Sequence, residues 1–221
     1  MARQQVRARR TRAAIIGSAA VEFGKSGYSA ASLNRILEGS HATKGAMYFH
    51  FDSKEDLARA VMDTALDRYT QTTDRWMARA ELEPFEILHG MLDEVALRFQ
   101  TDAVVQAEFR LIIEPEFYGD VQSGGGSVWG KASHALAVRA QERGMLRDDT
   151  DPVKFARILA AVLAGQRYMS DLISDGNDLR VLFEEGLAVV LEAMATPEWL
   201  QRWKATGWQF AARPEDVDTG S

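Results

Sequence analysis

Apolar residues recur at helical spacing along nearly the whole chain, and few segments alternate apolar and polar as a half-buried strand does. This rhythm predicts an all-α protein. The first helix is read from about Arg7 to Lys25, with Ile15, Ile16, Ala19, Ala20 and Phe23 on one stripe and Ser26-Gly27 ending it. Ser32 reads as the N-cap of a second, short helix carrying Leu33, Ile36 and Leu37, broken by Gly39-Ser40. Thr43 caps a third. Ser53-Lys54-Glu55-Asp56 reads as a capping box, with Asp56 facing back to Ser53, and opens a fourth helix with Leu57, Val61, Leu66 and Tyr69. Further helices follow from Pro84, from about Ala103, from about Ser127 to near Gly144, from Asp151-Pro152 to Gly176, from Leu179, and around Trp199 to Trp203. A loop from Glu114 to Gly126 holds Pro115, Gly119 and Gly124-Gly125-Gly126.

The 221 residues suffice for one or two domains with a sizeable core. Charge divides them. Residues 1–50 hold eight basic and two acidic side chains, a net +6, whereas residues 51–221 carry −12. A basic first quarter on an acidic body suggests that one segment meets a polyanion. The absence of cysteine excludes disulfides and thiolate metal sites. No apolar run approaches the roughly 20 residues of a membrane span, and no signal core follows the N-terminal arginines. A cytoplasmic protein with no membrane partner is therefore expected.

The stretch His41-Ala42-Thr43-Lys44-Gly45-Ala46-Met47-Tyr48-Phe49-His50-Phe51 sharpens this outline. Two short helices joined by a tight turn make a helix-turn-helix, whose second helix lies in the DNA major groove. Gly45 allows close backbone approach to a phosphate. Thr43 can cap the helix and donate its hydroxyl. Lys44 suits the O6 and N7 of guanine. Tyr48 and His50 carry tips that reach phosphate oxygens. Met47 and Phe51, four apart, are expected in the core. The spacing of Phe49, taken alone, is also compatible with a core position.

The first 60 or so residues resemble the DNA-binding domain of TetR-family transcriptional regulators. The matching residues are Ala14-Ile15-Ile16, Ala19-Ala20, Phe23, Gly27-Tyr28, Leu33, Ile36, Thr43 through Phe51, and Lys54-Glu55-Asp56-Leu57. The resemblance implies DNA contacts, mostly to phosphate, at Thr43, Lys44, Gly45, Tyr48, His50 and Lys54. It also implies a homodimer made by two helices of the C-terminal body. Met1-Ala2-Arg3-Gln4, the form of residues 43–51, and Trp129 after a Gly/Pro-bearing loop are similar to the γ-butyrolactone receptors of actinomycetes. There a tryptophan at the place of Trp129 lines the signal pocket, and Arg110 also matches. Ala65 and Leu163 depart from the pattern, which has a glutamine and a threonine at those places.

In the body, Phe85, Phe99, Phe109, Phe117 and Tyr118 are candidate pocket aromatics, and Gln166 and Tyr168 candidate polar groups. Trp129, Gln166, Phe109 and Arg110 are the expected ligand contacts. The expected division is a helix-turn-helix domain at 1–52, a helical ligand-binding and dimerisation domain at 53–212, and a disordered tail at 213–221. The reading is a repressor that binds a palindromic DNA operator as a homodimer and is released by a small hydrophobic inducer of γ-butyrolactone type. A pseudo-receptor answering to an antibiotic or other small molecule stays open. An enzyme is the rival from another class. The chain holds no Gly-x-Ser-x-Gly, His-Glu-x-x-His or Walker loop, its four histidines are scattered, and no cofactor or metal site is expected.

Overall fold

In a computed structural model, which describes residues 2–117, 119, 125–173 and 178–210, the helical rhythm becomes ten α-helices. They are α1 (Ala2–Ala30), α2 (Leu33–Ser40), α3 (Lys44–His50), α4 (Lys54–Met77), α5 (Pro84–Thr101), α6 (Ala103–Leu111), α7 (Gly125–Glu142), α8 (Pro152–Ile173), α9 (Leu179–Met194) and α10 (Pro197–Thr206). A 3-10 turn spans Pro115–Phe117. Among the described residues, extended pairing is limited to one bridge between Leu146 and Ala195. The expected ends near Gly176 and the tail 213–221 lie outside the described residues, as does Tyr118.

The chain forms two compact units. One holds Met1–Arg68 with Thr101–Gly124, the other Tyr69–Gln100 with Gly125–Ser221. Packing thus groups the start of α4 and α6 with the first three helices, a different division from the functional one drawn at residue 52.

In the first unit, Ile15, Ile16, Ala19, Ala20 and Phe23 of α1 are all buried, together with Ile36, Met47, Phe51, Leu57 and Val61. The stripe read from spacing is therefore the core face. α1 also packs along α6, a partner some eighty residues away that no local pattern announces. One boundary differs from expectation. α1 begins at Ala2, because Ala, Arg and Gln favour a helix even where it is exposed. Its regular part ends where Ser26-Gly27 predicts: Gly27 is non-helical, at φ 71 and ψ 177, a region open essentially to glycine, and a short last stretch to Ala30 follows across the kink. α2 ends at Ser40, as Gly39-Ser40 predicts, and Gly39 has a second role. It lies so close to α1 that an added Cβ would stand 2.5 Å from Ser18 Oγ. The helix stops two residues on, at His41, whose φ of 51 allows its N–H and that of Ala42 to reach the carbonyls of Glu38 and Leu37.

The second unit is built around α5, which is buried along nearly its whole length. Phe85, Leu88 and Met91 pack with Leu136 and Ala140 of α7, Phe155 and Leu159 of α8, Leu187 and Leu191 of α9 and Trp199 of α10. The fully buried Glu94 of α5 ties the end of α4 to this core. Its Oε1 accepts from Thr72 (2.8 Å), Arg75 and Arg98, and its Oε2 from the Trp76 indole (2.8 Å). A buried carboxylate persists only when paired and hydrogen-bonded in this way.

Candidate nucleic-acid interface

The pair α2–α3 is set by local chemistry. Ser32 Oγ accepts from Arg35 N at 3.5 Å and starts α2. Thr43 Oγ1 accepts from Ala46 N at 3.1 Å and starts α3. Capping of this kind stabilises a helix end by about 1 kcal/mol. Ser53 Oγ accepts from Asp56 N at 3.0 Å at the start of α4. The returning carboxylate bond goes to Asp52 N (3.1 Å), one residue earlier than the expected Ser53.

A longer-range contact fixes α2 on α1. Glu22 accepts from Arg35 Nε, from Arg35 Nη2 at 2.5 Å and from Ser32 N at 2.9 Å. The Arg35 guanidinium, with the Ser32 N–H, holds the Glu22 carboxyl far below its ordinary value, at about 2. Sequence reasoning did not find this pair, since nothing local links two side chains thirteen residues apart on different helices. Ser18 Oγ adds a bond to the Ile36 carbonyl at 2.8 Å.

So held, α3 separates its faces. Met47 and Phe51 are buried, at 0% and 2% exposure. Thr43, Lys44 and Gly45 are exposed, Tyr48 is half-exposed and Phe49 is exposed at 78%. Phe49 is therefore not core; its ring stands edge-on to the half-buried His50, 5.0 Å between centroids. Thr43, Lys44, Gly45 and Tyr48 come together on one short exposed surface, and His50 follows at its end. The first N–H groups of a helix lack intrahelical partners, and Thr43 Oγ1 takes only that of Ala46.

Lys54 is engaged within the unit. Its Nζ donates to the Ser29 carbonyl at 3.3 Å and lies 4.8 Å from the centre of the Tyr28 ring. Burial pushes the lysine pKa below its usual value and that of Tyr28 above. Tyr28 itself packs edge-on to Phe117 at 5.0 Å.

The four expected ligand residues fall in both units. Phe109, half-buried, and Arg110, exposed, belong to α6 in the first. Trp129 on α7 and Gln166 on α8, both half-buried, belong to the second. There the buried Tyr69 stands edge-on to Trp129 at 6.0 Å, and the Arg167 guanidinium lies 5.3 Å from the Phe99 ring centre. Sequence reasoning passed over Tyr69 and Arg167 in these pairings. Phe85 and Phe117 are fully buried, whereas Tyr168 is 48% exposed. No helix among the described residues is long and apolar enough to cross a membrane.

Known proteins are similar to this chain in sequence and in fold. A family model described as bacterial regulatory proteins of the tetR family matches residues 15–61. The A-factor receptor protein of Streptomyces griseus is 32% identical over 204 residues, spanning 92% of this chain and 71% of that protein. A solved structure described as the molecular basis for control of antibiotic production by bacterial hormones is 30% identical. It covers 84% of this chain and 98% of its own, with a TM-score of 0.71. The TetR-family protein CprB of Streptomyces coelicolor, solved with its biological operator sequence, is 25% identical and covers 90% and 95% of the two chains with a TM-score of 0.72.

Proposed function

Since the chain belongs to the tetR family of bacterial regulatory proteins, a family of DNA-binding transcriptional regulators, we propose that it is a repressor released from its operator by a small hydrophobic inducer. The observation that carries the DNA half is the exposure of Thr43, Lys44, Gly45 and Tyr48 on a helix whose Met47 and Phe51 are sealed below. Those four, with His50 and Lys54, meet the operator, mostly at phosphates. Lys44 adds the guanine edge. The protein acts as a homodimer in the cytoplasm. Val153, Met169 and Leu172 of α8 and Val181 and Val189 of α9 are apolar and exposed in the single chain, which supports a dimer seam on these two helices. Twofold proteins suit palindromic half-sites one helical turn apart, or multiples of it.

The inducer is of γ-butyrolactone type, with Trp129 and Gln166 of the second unit as its contacts. The mechanism has two states. The free dimer holds both α3 helices at the operator's spacing; ligand favours a state in which α4 moves and that spacing is lost. Ligand shifts this balance only by its difference in affinity for the two states. Couplings of about 1–3 kcal/mol, or roughly 5- to 150-fold, are typical. Titrating a synthetic γ-butyrolactone with an apolar side chain into the protein–operator complex tests the reading, with release expected. Unchanged operator affinity at saturating lactone would overturn the ligand class. A second reading, a pseudo-receptor for an antibiotic or other small molecule, is favoured by Ala65 and Leu163, apolar where the receptor pattern has glutamine and threonine. Release by such a molecule and not by the lactone would select it.

A further inference from the structure

The first turns of α1 form a surface that the helix-turn-helix does not account for. Burial begins only at Ile15, and Arg7, Arg9 and Arg10 are exposed on the helical segment before it. No acidic residue precedes Glu22 in the chain. Among the described residues, none of the ion pairs includes Arg7, Arg9 or Arg10. Arg7 and Arg10 stand three apart, so their side chains are neighbours on the helix surface, where like charges oppose the helix. This segment is therefore charged, repelling and unburied, and an anionic partner would relieve it.

Its base is tied to the recognition helix. The Arg12 guanidinium lies 5.2 Å from the centre of the Phe51 ring, and Phe51 is the C-cap of α3. From Arg12 back to Ala2 the helix runs about 15 Å, the rise of roughly four base pairs. Guanidinium forks match phosphate oxygens two at a time. We propose that Arg7, Arg9 and Arg10 form a second DNA contact, an arm that grips the phosphate backbone flanking the groove that α3 occupies. The proposal rests on the operator reading above and adds to it a site outside α3. The arm carries affinity, not sequence choice, because phosphate contacts position a protein without reading bases.

The test uses the full chain and its selected operator duplex. Arg7→Gln/Arg9→Gln/Arg10→Gln keeps good helix formers while removing three charges, and Arg7→Lys/Arg9→Lys/Arg10→Lys keeps the charges. Operator affinity is measured across salt concentrations, on duplexes with long flanks and with flanks trimmed to the half-sites. One to three lost phosphate contacts per protomer of a dimer would make the log–log salt slope shallower by about 2 to 5. From 50 to 200 mM salt, the wild type would then lose roughly 10- to 1,000-fold more affinity than the glutamine variant. The lysine variant is expected to keep most of the slope. Trimming the flanks is expected to weaken the wild type and leave the glutamine variant unchanged. An unchanged slope in the glutamine variant, or equal sensitivity to trimming, overturns the arm while the operator reading stands. A wild type that binds no duplex overturns both. Circular dichroism of each variant, matching the wild type, excludes misfolding as the cause.

Discussion

Replacing Glu22 by glutamine removes one charge from the junction of α1 and α2 while leaving an oxygen that can still accept from Ser32 N–H. In the wild type the carboxyl sits at about 2 against an ordinary 4.5, held there by Arg35 and by the Ser32 N–H. A carboxylate whose pKa is depressed on folding stabilises the fold above its unfolded pKa. That stabilisation fades as pH falls towards the folded value. Taken whole, the gap corresponds to about 3 kcal/mol. Arg35 is 58% exposed while Glu22 is 8% exposed, so solvent screens the pair and about 1–2 kcal/mol is the realistic contribution. At pH 3, midway in that window, linkage removes about 60% of it. Urea unfolding of the wild type and Glu22→Gln at pH 7 and pH 3 reads both numbers. With a slope near 2 kcal/mol per molar urea, the variant's midpoint falls by about 0.5–1 M at pH 7. By pH 3 the difference shrinks to less than half of that. Equal midpoints at pH 7, or a difference that stays the same at pH 3, would refute the reasoning.

Three other substitutions follow from the packing. Gly90→Ala places a Cβ 2.2 Å from the Trp76 ring, which cannot swing away because its indole is held by Glu94 at 2.8 Å; thermal unfolding is expected to show a loss of about 1–3 kcal/mol. Gly27→Ala forces a side chain into φ 71 with its Cβ 3.2 Å from Glu114 Oε1, and a loss of about 1–3 kcal/mol is expected in the same assay. Glu94→Ala takes one partner from a buried ion pair with Arg98, both under 4% exposed; about 3–5 kcal/mol is expected by urea unfolding, and a loss below 1 kcal/mol would contradict the account of this knot.

The range of an interaction decides whether the sequence reveals it. Caps are local, so Ser32, Thr43 and Ser53 mark their helix starts within a few residues of chain, and the stripe Ile15 to Phe23 declares the core face of α1. Contacts between distant segments leave no such trace. Nothing near Glu22 points to Arg35, nothing near Thr72 points to Glu94, and α6 gives no sign that it lies along α1. Glycine is ambiguous for the same reason. Gly27 and Gly39 both mark stops, yet nothing local tells that one sets a kink at φ 71 and the other lets two helices approach. Phe49 shows the opposite limit. A large aromatic in a short helix reads as possible core, but Phe49 lies two residues past the buried Met47, about 200° around the helix, and so faces outward. The exposed face of α3 is legible because a short exposed helix must declare its chemistry in its own side chains. A pocket assembled from several helices would leave no such local trace.

The central claim is that α3 meets an operator through Lys44 and Tyr48. Its most direct test is selection of bound sequences from a random duplex pool by the wild type, followed by affinity measurement on the winner with Lys44→Ala/Tyr48→Ala. The account predicts an inverted repeat among the winners, and binding by the variant at least tenfold weaker with an unchanged unfolding midpoint. A pool that shows no enrichment, or a variant that binds the winner as tightly as the wild type, would contradict it.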